Sequence, residues 1–326
     1  MRDFALPPGI VYDDDKHDEF SWSRDMAEEI PFRREMEFAY GVPRELAPGI
    51  VRLVANNPGP FTYKGTNAYI LGQGRDIALM DPGPDDDAHF DATMAAIGTR
   101  RLTTIIVTHT HHDHVDGLPR LVAATGAKTA GYGRRASGAR KKSPSGGEYV
   151  DLDFVPDIAL VDGSRFEGDG YALTALHTPG HAPDHLCFAL DGAALLFSGD
   201  HVMAWNTSVV APPEGNMRAY MQSLEKLHER NDAAFLPGHG GRVLQPKRVV
   251  KAFLVHRRMR EEAIFDCIRK GHSTIEAIVP VVYRGLDSRL LSAASLSVAA
   301  HVEHLVERGR VHSVGPSTRP ERLSVV

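Results

Sequence analysis

The 326-residue chain predicts an α/β fold of stacked sheets with outer helices, followed by a small helical unit resembling a winged helix. Three observations predict this. Short β-branched and aromatic runs recur, and each closes in Gly, Pro, Asp or Asn turn chemistry. Few helical periods lie between them, which favours sheet against sheet. At residue 248 the chain turns from net acidic to net basic and from short runs to long helical periods.

At ~100–200 residues per domain the length allows two or three units, and the zones expected are 1–48, 49–247 and 248–326. The first carries Asp13, Asp14, Asp15, Asp18, Glu19, Asp25, Glu28 and Glu29, with prolines at 7, 8, 31, 43 and 48. It reads as an acidic lead-in that packs on the main domain and leaves a solvated face. In the second, strands are expected at 50–55, 66–71, 76–80, 102–108, 172–177, 186–190 and 193–198. Helices are expected at 88–97, 118–124 and 217–229. In the last of these Met217, Tyr220, Met221, Leu224, Leu227 and His228 recur at three and four, so one face is apolar. The third zone reads as helices at 249–270 and 274–283, then one from after Asp287 to Arg308, and a β wing at 310–314. Ser273-Thr-Ile-Glu276 is a capping-box pattern at the start of the second helix, and Gly309 stops the third.

Composition excludes several classes. The chain is 42% hydrophobic and 24% charged, ordinary for a globular protein with a sizeable core. No run approaches the ~18 apolar residues of a membrane helix. Residues 1–16 show neither a signal peptide nor a transit peptide. Cys187 and Cys267 stand alone, so no disulfide or zinc-finger framework is expected, and the compartment expected is the cytoplasm. A net charge of -5 argues against a dedicated nucleic-acid binder. The 17 histidines are the informative count, because they cluster.

Four segments concentrate the chemistry. Thr108-His-Thr-His-His-Asp-His114 leaves a β-branched run, so its side chains gather at a strand end. Imidazole is the commonest transition-metal ligand, and carboxylate completes harder sites. His109, His111, Asp113 and His114 are four candidate ligands in six residues. That is too many for one ion in so tight a turn, and two neighbouring ions finished by distant residues fit better. His177-Thr-Pro-Gly-His181, Leu195-Leu-Phe-Ser-Gly-Asp200 and Phe235-Leu-Pro-Gly-His-Gly240 each place one more candidate beyond a strand: His181, Asp200 and His239. A turn histidine or aspartate is bland singly. Four such segments in one chain are not.

These four motifs, in this order, resemble the metallo-β-lactamase superfamily. The resemblance implies a four-layer αββα sandwich with a dinuclear zinc site at one edge of the β layers, and here a small C-terminal winged-helix-like domain. It implies His109, His111 and His181 at the first metal site and Asp113, His114 and His239 at the second. Asp200 would bridge both, and Asp81 in Leu79-Met-Asp-Pro-Gly83 would steady the histidine loop from behind. His112 falls at a non-ligand position. No Cys stands at a ligand position, which argues against the penicillin-cleaving zinc lactamases. A histidine stands where the diiron flavoproteins of this fold carry Glu, which argues against oxygen reduction. The His-Ser-Thr motif of the long tRNA-processing nucleases is not found. Asn57-Pro-Gly-Pro-Phe-Thr-Tyr-Lys-Gly-Thr-Asn67 and the helix beginning at Tyr220 resemble the β-lactamase-like endoribonucleases known from the animal mitochondrial enzyme. They also resemble fungal thioesterases that release polyketides from carrier proteins.

Two divalent ions in such a site make a nucleophile from water and polarise the substrate oxygen, with Asp113 and Asp200 as the catalytic carboxylates. Zinc is the expected metal, although His/Asp sites also take iron, manganese or nickel. The preferred reading is hydrolysis of a carbonyl ester or thioester in a small-molecule acyl substrate. The apolar run His201-Val-Met-Ala-Trp205, with Phe61, Tyr63, His185 and His201, makes the candidate substrate pocket. The alternative is single-stranded RNA cleavage, favoured by the basic C-terminal zone and the run from Arg134 to Lys142. A third reading makes the winged helix a DNA-binding or dimerising module and the metal domain a sensor. The helix from 287 to 308 carries Glu303 and Glu307 beside Arg289 and Arg308, and so lacks a basic reading face. No membrane contact is expected, and a homodimer is allowed.

Overall fold

The computed structural model describes residues 30–133, 154–286, 288–316 and 319–326. A seven-stranded sheet runs in the order β1 (Arg44–Ala47), β2 (Ile50–Val54), β3 (Asn67–Leu71), β4 (Asp76–Met80), β5 (Arg101–Ile106), β6 (Lys128–Tyr132) and β7 (Ile158–Leu160). A six-stranded sheet comprises β8 (Arg165–Gly168), β9 (Tyr171–His177), β10 (Leu186–Leu190), β11 (Leu195–Gly199), β12 (Ala234–Pro237) and β13 (Val243–Leu244), in the reverse order across the sheet. On the first sheet pack α1 (Asp87–Ile97) and α3 (Leu118–Thr125), separated by the one-turn α2 (His112–Val115). On the second pack α4 (Met217–His228) and the first half of α5 (Pro246–Arg269).

Alternation along the strands builds these layers, because successive side chains leave opposite faces. On β3, Tyr69 and Leu71 enter the space between the sheets, and Ala68 and Ile70 face α1 and α3. On β10, Leu186 and Phe188 meet them from the other sheet, and Cys187 and Ala189 face α4. The result is the four-layer αββα order that the resemblance implied. The apolar face of α4 is the expected one, with Met217, Tyr220, Leu224 and Leu227 buried.

Beyond β13 the chain forms α5, α6 (Ile275–Val282), a single 3-10 turn (Ser288–Leu290), α7 (Leu291–Glu307) and the hairpin β14 (Val311–Val314) with β15 (Arg322–Val325). This is three helices and a two-stranded wing. The α5 helix serves two cores. Val249, Val250, Phe253 and Leu254 join the cluster under the second sheet, and Ile264, Cys267 and Ile268 join that of the C-terminal helices. The expected boundary at 247/248 thus falls in the first turn of this shared helix.

Several expectations are corrected. The capping residue of α6 is Thr274, whose hydroxyl accepts from the Ala277 N–H at 3.3 Å, and not Ser273. Ser273 is instead tied to the wing, where its carbonyl accepts from the Leu323 N–H at 2.8 Å. The strand expected from 193 starts at Leu195, because Ala193 and Ala194 belong to the preceding turn. The strands β1, β6, β7, β8, β13 and β15 were not expected. The β6 segment, Lys-Thr-Ala-Gly-Tyr, has small residues where a strand signal needs branched ones. Residues 1–29 of the acidic lead-in, the basic run from 134 to 142, and Asp287 lie outside the described residues. The end of the lead-in packs on the domain: Ile30 and Phe32 touch the core beside Phe253, and the Arg33 N–H donates to the Ala204 carbonyl. No described helix is long and apolar enough to cross a membrane.

Candidate metal centre

Strand direction brings the motifs together. The β4 and β5 strands run parallel, as do β11 and β12, and β9 shares the sense of β11 through the antiparallel β10 between them. Asp81, Thr108, His181, Asp200 and His239 therefore follow carboxyl ends at one edge of the sandwich. Backbone bonds stitch that edge. The Asn67 N–H donates to the Gly238 carbonyl at 2.7 Å, the Gly238 N–H to Gly199 at 2.8 Å, and the Leu186 N–H to Thr108 at 2.7 Å.

Two groups of donors result. In the first, His111 Nδ1 lies 2.8 Å from His109 Nε2 and 2.9 Å from His181 Nε2. In the second, His114 Nε2 lies 3.3 Å from His239 Nε2 and 3.4 Å from Asp113 Oδ2, and His239 Nε2 lies 3.1 Å from Asp113 Oδ2. Asp200 stands between them, its Oδ1 3.6 Å from His114 Nε2 and its Oδ2 3.2 Å from His239 Nε2 and 3.8 Å from His181 Nε2. All seven expected ligands thus meet at one place; two of the donor groups are the expected triads, and a third joins His109 to His114 and Asp200 across them. His112 turns away to Asp116, 2.5 Å from its Nδ1.

The outer hydrogen bonds decide what the inner nitrogens offer. His181 Nδ1 donates to the Val209 carbonyl at 2.7 Å, and His239 Nδ1 to that of Gly65 at 3.2 Å. His114 Nδ1 donates to Asp81 Oδ2 at 3.0 Å. The Thr108 hydroxyl gives its proton to the same Asp81 oxygen at 2.8 Å, so it accepts from His109 Nδ1 at 3.0 Å. Each of these four rings spends its N–H outward and aims a lone pair inward. Converging lone pairs, two carboxylates and the unpartnered, buried Asp200 Oδ1 fit divalent cations.

With protons alone at the site, the charges favour cationic rings. Burial opposes charge on His239, but Asp200 and Asp113 outweigh it and lift the ring to about 10. His114 is raised against burial by Asp113, Asp200 and Asp81. His109 is held neutral by burial and then by His114 and His111. Despite burial, the facing histidines hold Asp113 and Asp200 below the usual carboxylate range. A cation entering the second group must therefore expel protons from His114 and His239. Calorimetric loading of the metal-stripped protein near pH 7, in buffers of different ionisation heat, should show proton release and an affinity that rises with pH. Loading without proton release would contradict the geometry. The sign for stability is opposite: the raised His239 contributes fully below roughly pH 6.5, and that contribution disappears as pH climbs through about 10.

Asp81 sits behind this arrangement with φ of 52°. Its Oδ1 accepts from the Thr108 N–H at 2.8 Å, and its Oδ2 takes both the Thr108 hydroxyl and His114. Asp81→Asn places an amide donor or a lone acceptor where three donors converge. It should cost ~10–100-fold in metal affinity, read by competition with a chelating dye. Unchanged affinity would make Asp81 a bystander.

The five pocket candidates divide. Phe61 and Trp205 line a cavity of about 260 Å³ with Met203, Val209, Leu286 and Leu290. Tyr63 stacks on Trp205, centroids 4.8 Å apart. His185 and His201 are fully buried behind the wall. His185 Nδ1 pairs with the Thr178 hydroxyl at 2.8 Å, and its Nε2 accepts from the Asp200 N–H at 3.1 Å, so it braces the backbone that carries Asp200. Sequence reasoning missed Thr66, whose hydroxyl donates to Asp113 Oδ2 at 3.0 Å. It also missed Thr108, and Thr110, which bonds Asp184 at 2.8 Å and ties the histidine loop to the turn after His181. Thr108 and Thr110 lie inside the histidine motif and Thr66 just ahead of Asn67, so proximity was the available signal.

Comparisons with known proteins give the family and the fold. Residues 62–239 match the family model described as Metallo-beta-lactamase superfamily, and residues 274–318 match the Beta-lactamase associated winged helix domain. The chain is 30% identical to the Beta-lactamase-like protein 2 homolog of Drosophila melanogaster, over 82% of this chain and 90% of that one. It is 28% identical to an Atrochrysone carboxyl ACP thioesterase of Aspergillus chevalieri, over 74% and 75%. Among solved structures, a Beta-lactamase domain protein from Burkholderia ambifaria superposes with a TM-score of 0.74 at 19% identity, covering 93% of this chain and 99% of that one. A metallo-beta-lactamase family protein from Thermus thermophilus superposes with a TM-score of 0.69 at 23% identity, covering 86% and 100%. The two superpositions speak for the fold.

Proposed function

Because the chain belongs to the metallo-β-lactamase superfamily and is a hydrolase of it, we propose that it is a dinuclear zinc enzyme that cleaves an acyl thioester or ester. The observation that carries the acyl reading is the cavity of about 260 Å³ walled by Phe61, Met203, Trp205 and Val209. It shares a wall with the metal centre, since the Val209 carbonyl holds His181. Its apolar side suits an acyl chain, while Asn206, Thr207, Ser208 and the α5 side chains make the rest of the wall polar. The fungal relative named as a carrier-protein thioesterase supports the same class.

His109, His111 and His181 would hold one ion, Asp113, His114 and His239 the other, and Asp200 both. Bound there, such a pair supplies Lewis acidity and a water with a pKa near neutrality. The chain's own residues supply direction. Thr66 and His239 engage Asp113 Oδ2, which fixes the plane of that carboxylate and leaves Oδ1 to orient a water and take its proton. Asp113 is the exposed member of the set, its side chain 21% accessible, so it stands where substrate enters. Burial, then His201 and His181, holds His185 neutral, and burial first among its causes lowers His201 to about 3. Neither ring is a proton donor for a leaving group. A thiolate leaves without one, whereas an RNA alkoxide benefits from an acid, which favours the thioester.

The test is turnover of metal-loaded protein on acyl-CoA and acyl-N-acetylcysteamine thioesters, lactones and labelled single-stranded RNA. Metal-dependent thioester cleavage with intact RNA is expected. RNA cleavage that weakens with salt, with thioesters untouched, would overturn the acyl reading.

A further inference from the structure

Two guanidiniums stand in the wall of the same cavity. Arg257 and Arg260 lie on α5 and line it with Trp205, Tyr283 and Ser297. Among the described residues no Asp or Glu lines this cavity; Arg257 also borders a neighbouring cavity with Glu225 and Glu261, where Glu261 is engaged by His304 and Arg308. Arg257 is only 4% exposed. It donates from Nη2 to the Ser208 carbonyl and stands 5.2 Å over the Tyr220 ring, while its Nε has no partner. Arg260 donates from Nη1 to the Val282 carbonyl at 2.7 Å and lies 4.3 Å over the Tyr283 ring, which fixes its plane at the cavity. His256, also in the wall, adds no charge, because burial and then Arg257 and Arg260 lower it to about 3. Its Nδ1 and the Trp205 Nε1 are also buried without partners.

A buried guanidinium without an anion is costly, and evolution usually pairs it within the fold. Here the fold leaves a cavity beside it instead. We propose that this cavity is a binding site for an oxyanion carried by the substrate, received by the forks of Arg257 and Arg260, with the apolar body of the substrate between Phe61 and Trp205. This rests on the hydrolase reading for the word substrate, but binding itself does not. Guanidinium forks match carboxylates and phosphates. The aromatic wall points to a carboxylate at the far end of an apolar acyl group, and a phosphate on the thiol carrier presents the same chemistry. Ser208 precedes Val209, so an anion on Arg257 lies one residue from the carbonyl that orients His181. Acyl groups with the right reach would thus be drawn to the metal centre, and neutral ones would not.

Binding is tested first on metal-stripped protein, so that metal cannot hold the probe. Trp22→Phe leaves Trp205 as the only tryptophan and reporter of its own wall. Benzoate, inorganic phosphate and benzyl alcohol are titrated against its fluorescence. Benzoate should bind saturably and roughly 10- to 100-fold more tightly than benzyl alcohol, the range that charge-assisted hydrogen bonds control. Arg260→Gln should remove that preference. Arg257→Lys, which keeps the charge and loses the fork, should weaken it and guards against misfolding of a neutral variant. Tight phosphate with weak benzoate would support the site and assign the oxyanion to the carrier. Equal affinity for benzoate and benzyl alcohol, or no binding of either anion, would overturn it. Turnover then compares adipoyl and hexanoyl thioesters of N-acetylcysteamine, which carry no phosphate. A lower KM for the adipoyl thioester at similar kcat, erased by Arg260→Gln, is expected for a carboxylate. If no thioester is cleaved, the function reading fails while the fluorescence result stands.

Discussion

Asp200→Ala should lose metal from both donor groups and abolish turnover while the fold persists. The carboxylate faces both sides, 3.2 Å from His239, 3.6 Å from His114 and 3.8 Å from His181. Its Oδ1 has no hydrogen-bond partner and its Oδ2 faces the His239 and His181 rings, so the loss falls on the donor cluster and not on the apolar cores. Its absence leaves Asp113 as the sole carboxylate among the ligands of the second group, and the first group without any. The loss of activity should exceed the ~10–100-fold cost of disturbing a residue behind the ligands. His111→Ala, by contrast, strips a ligand of the first group alone and should leave the second ion bound more tightly than the first. Metal analysis of both variants, with circular dichroism to show that the fold is kept, separates these cases. An Asp200→Ala protein with two ions and full turnover would refute the bridging role.

Gly238→Ala should be nearly as damaging, although glycine offers no chemistry. A Cβ there would stand 2.3 Å from Asp200 Oδ1 and 2.7 Å from His114 Cε1. The backbone cannot retreat, because the Gly238 N–H is bound to Gly199 and its carbonyl accepts from Asn67. The Asp200 and His114 side chains must move, and displacement of about 1 Å at a reacting site costs on the order of 10²-fold. The expected result is weakened metal binding and at least that loss of turnover, with thermal stability of the metal-stripped protein little changed. Wild-type metal affinity in Gly238→Ala would show that the site tolerates more room than the distances allow. The same glycine explains why the final motif reads Pro-Gly-His: the strand end must pass under a carboxylate before presenting its ligand.

The candidate metal centre was legible because its donor residues sit beside turn residues that announce strand ends. Asp113, His114 and their neighbours fall within one heptapeptide, and Pro-Gly or Ser-Gly marks the other three segments. The layers were legible because β3, β4, β5 and β10 carry branched or aromatic runs. What stayed hidden depends on tertiary partners. The β6 and β8 strands owe their place to pairing with neighbours, since Ala130 and Gly131 or Glu167 and Gly168 carry little strand preference. The depth of His185 and His201 followed from packing between sheet and α4, which spacing from a ligand does not encode. Arg257 and Arg260 do not stand out in the sequence among the other charges of the basic zone. Only the seating of α5 against the loop from 201 to 210 turns them into the wall of a cavity.

Metal stoichiometry measured together with turnover tests the central claim most directly. Stripped protein is titrated with zinc, and bound ion and acyl thioester hydrolysis are followed in the same samples. Two ions per chain, with activity that vanishes on chelation and returns as the ions are restored, is the result predicted by the converging lone pairs of the histidines and the shared carboxylate. Binding of a single ion, or hydrolysis that survives complete removal of metal, would contradict it.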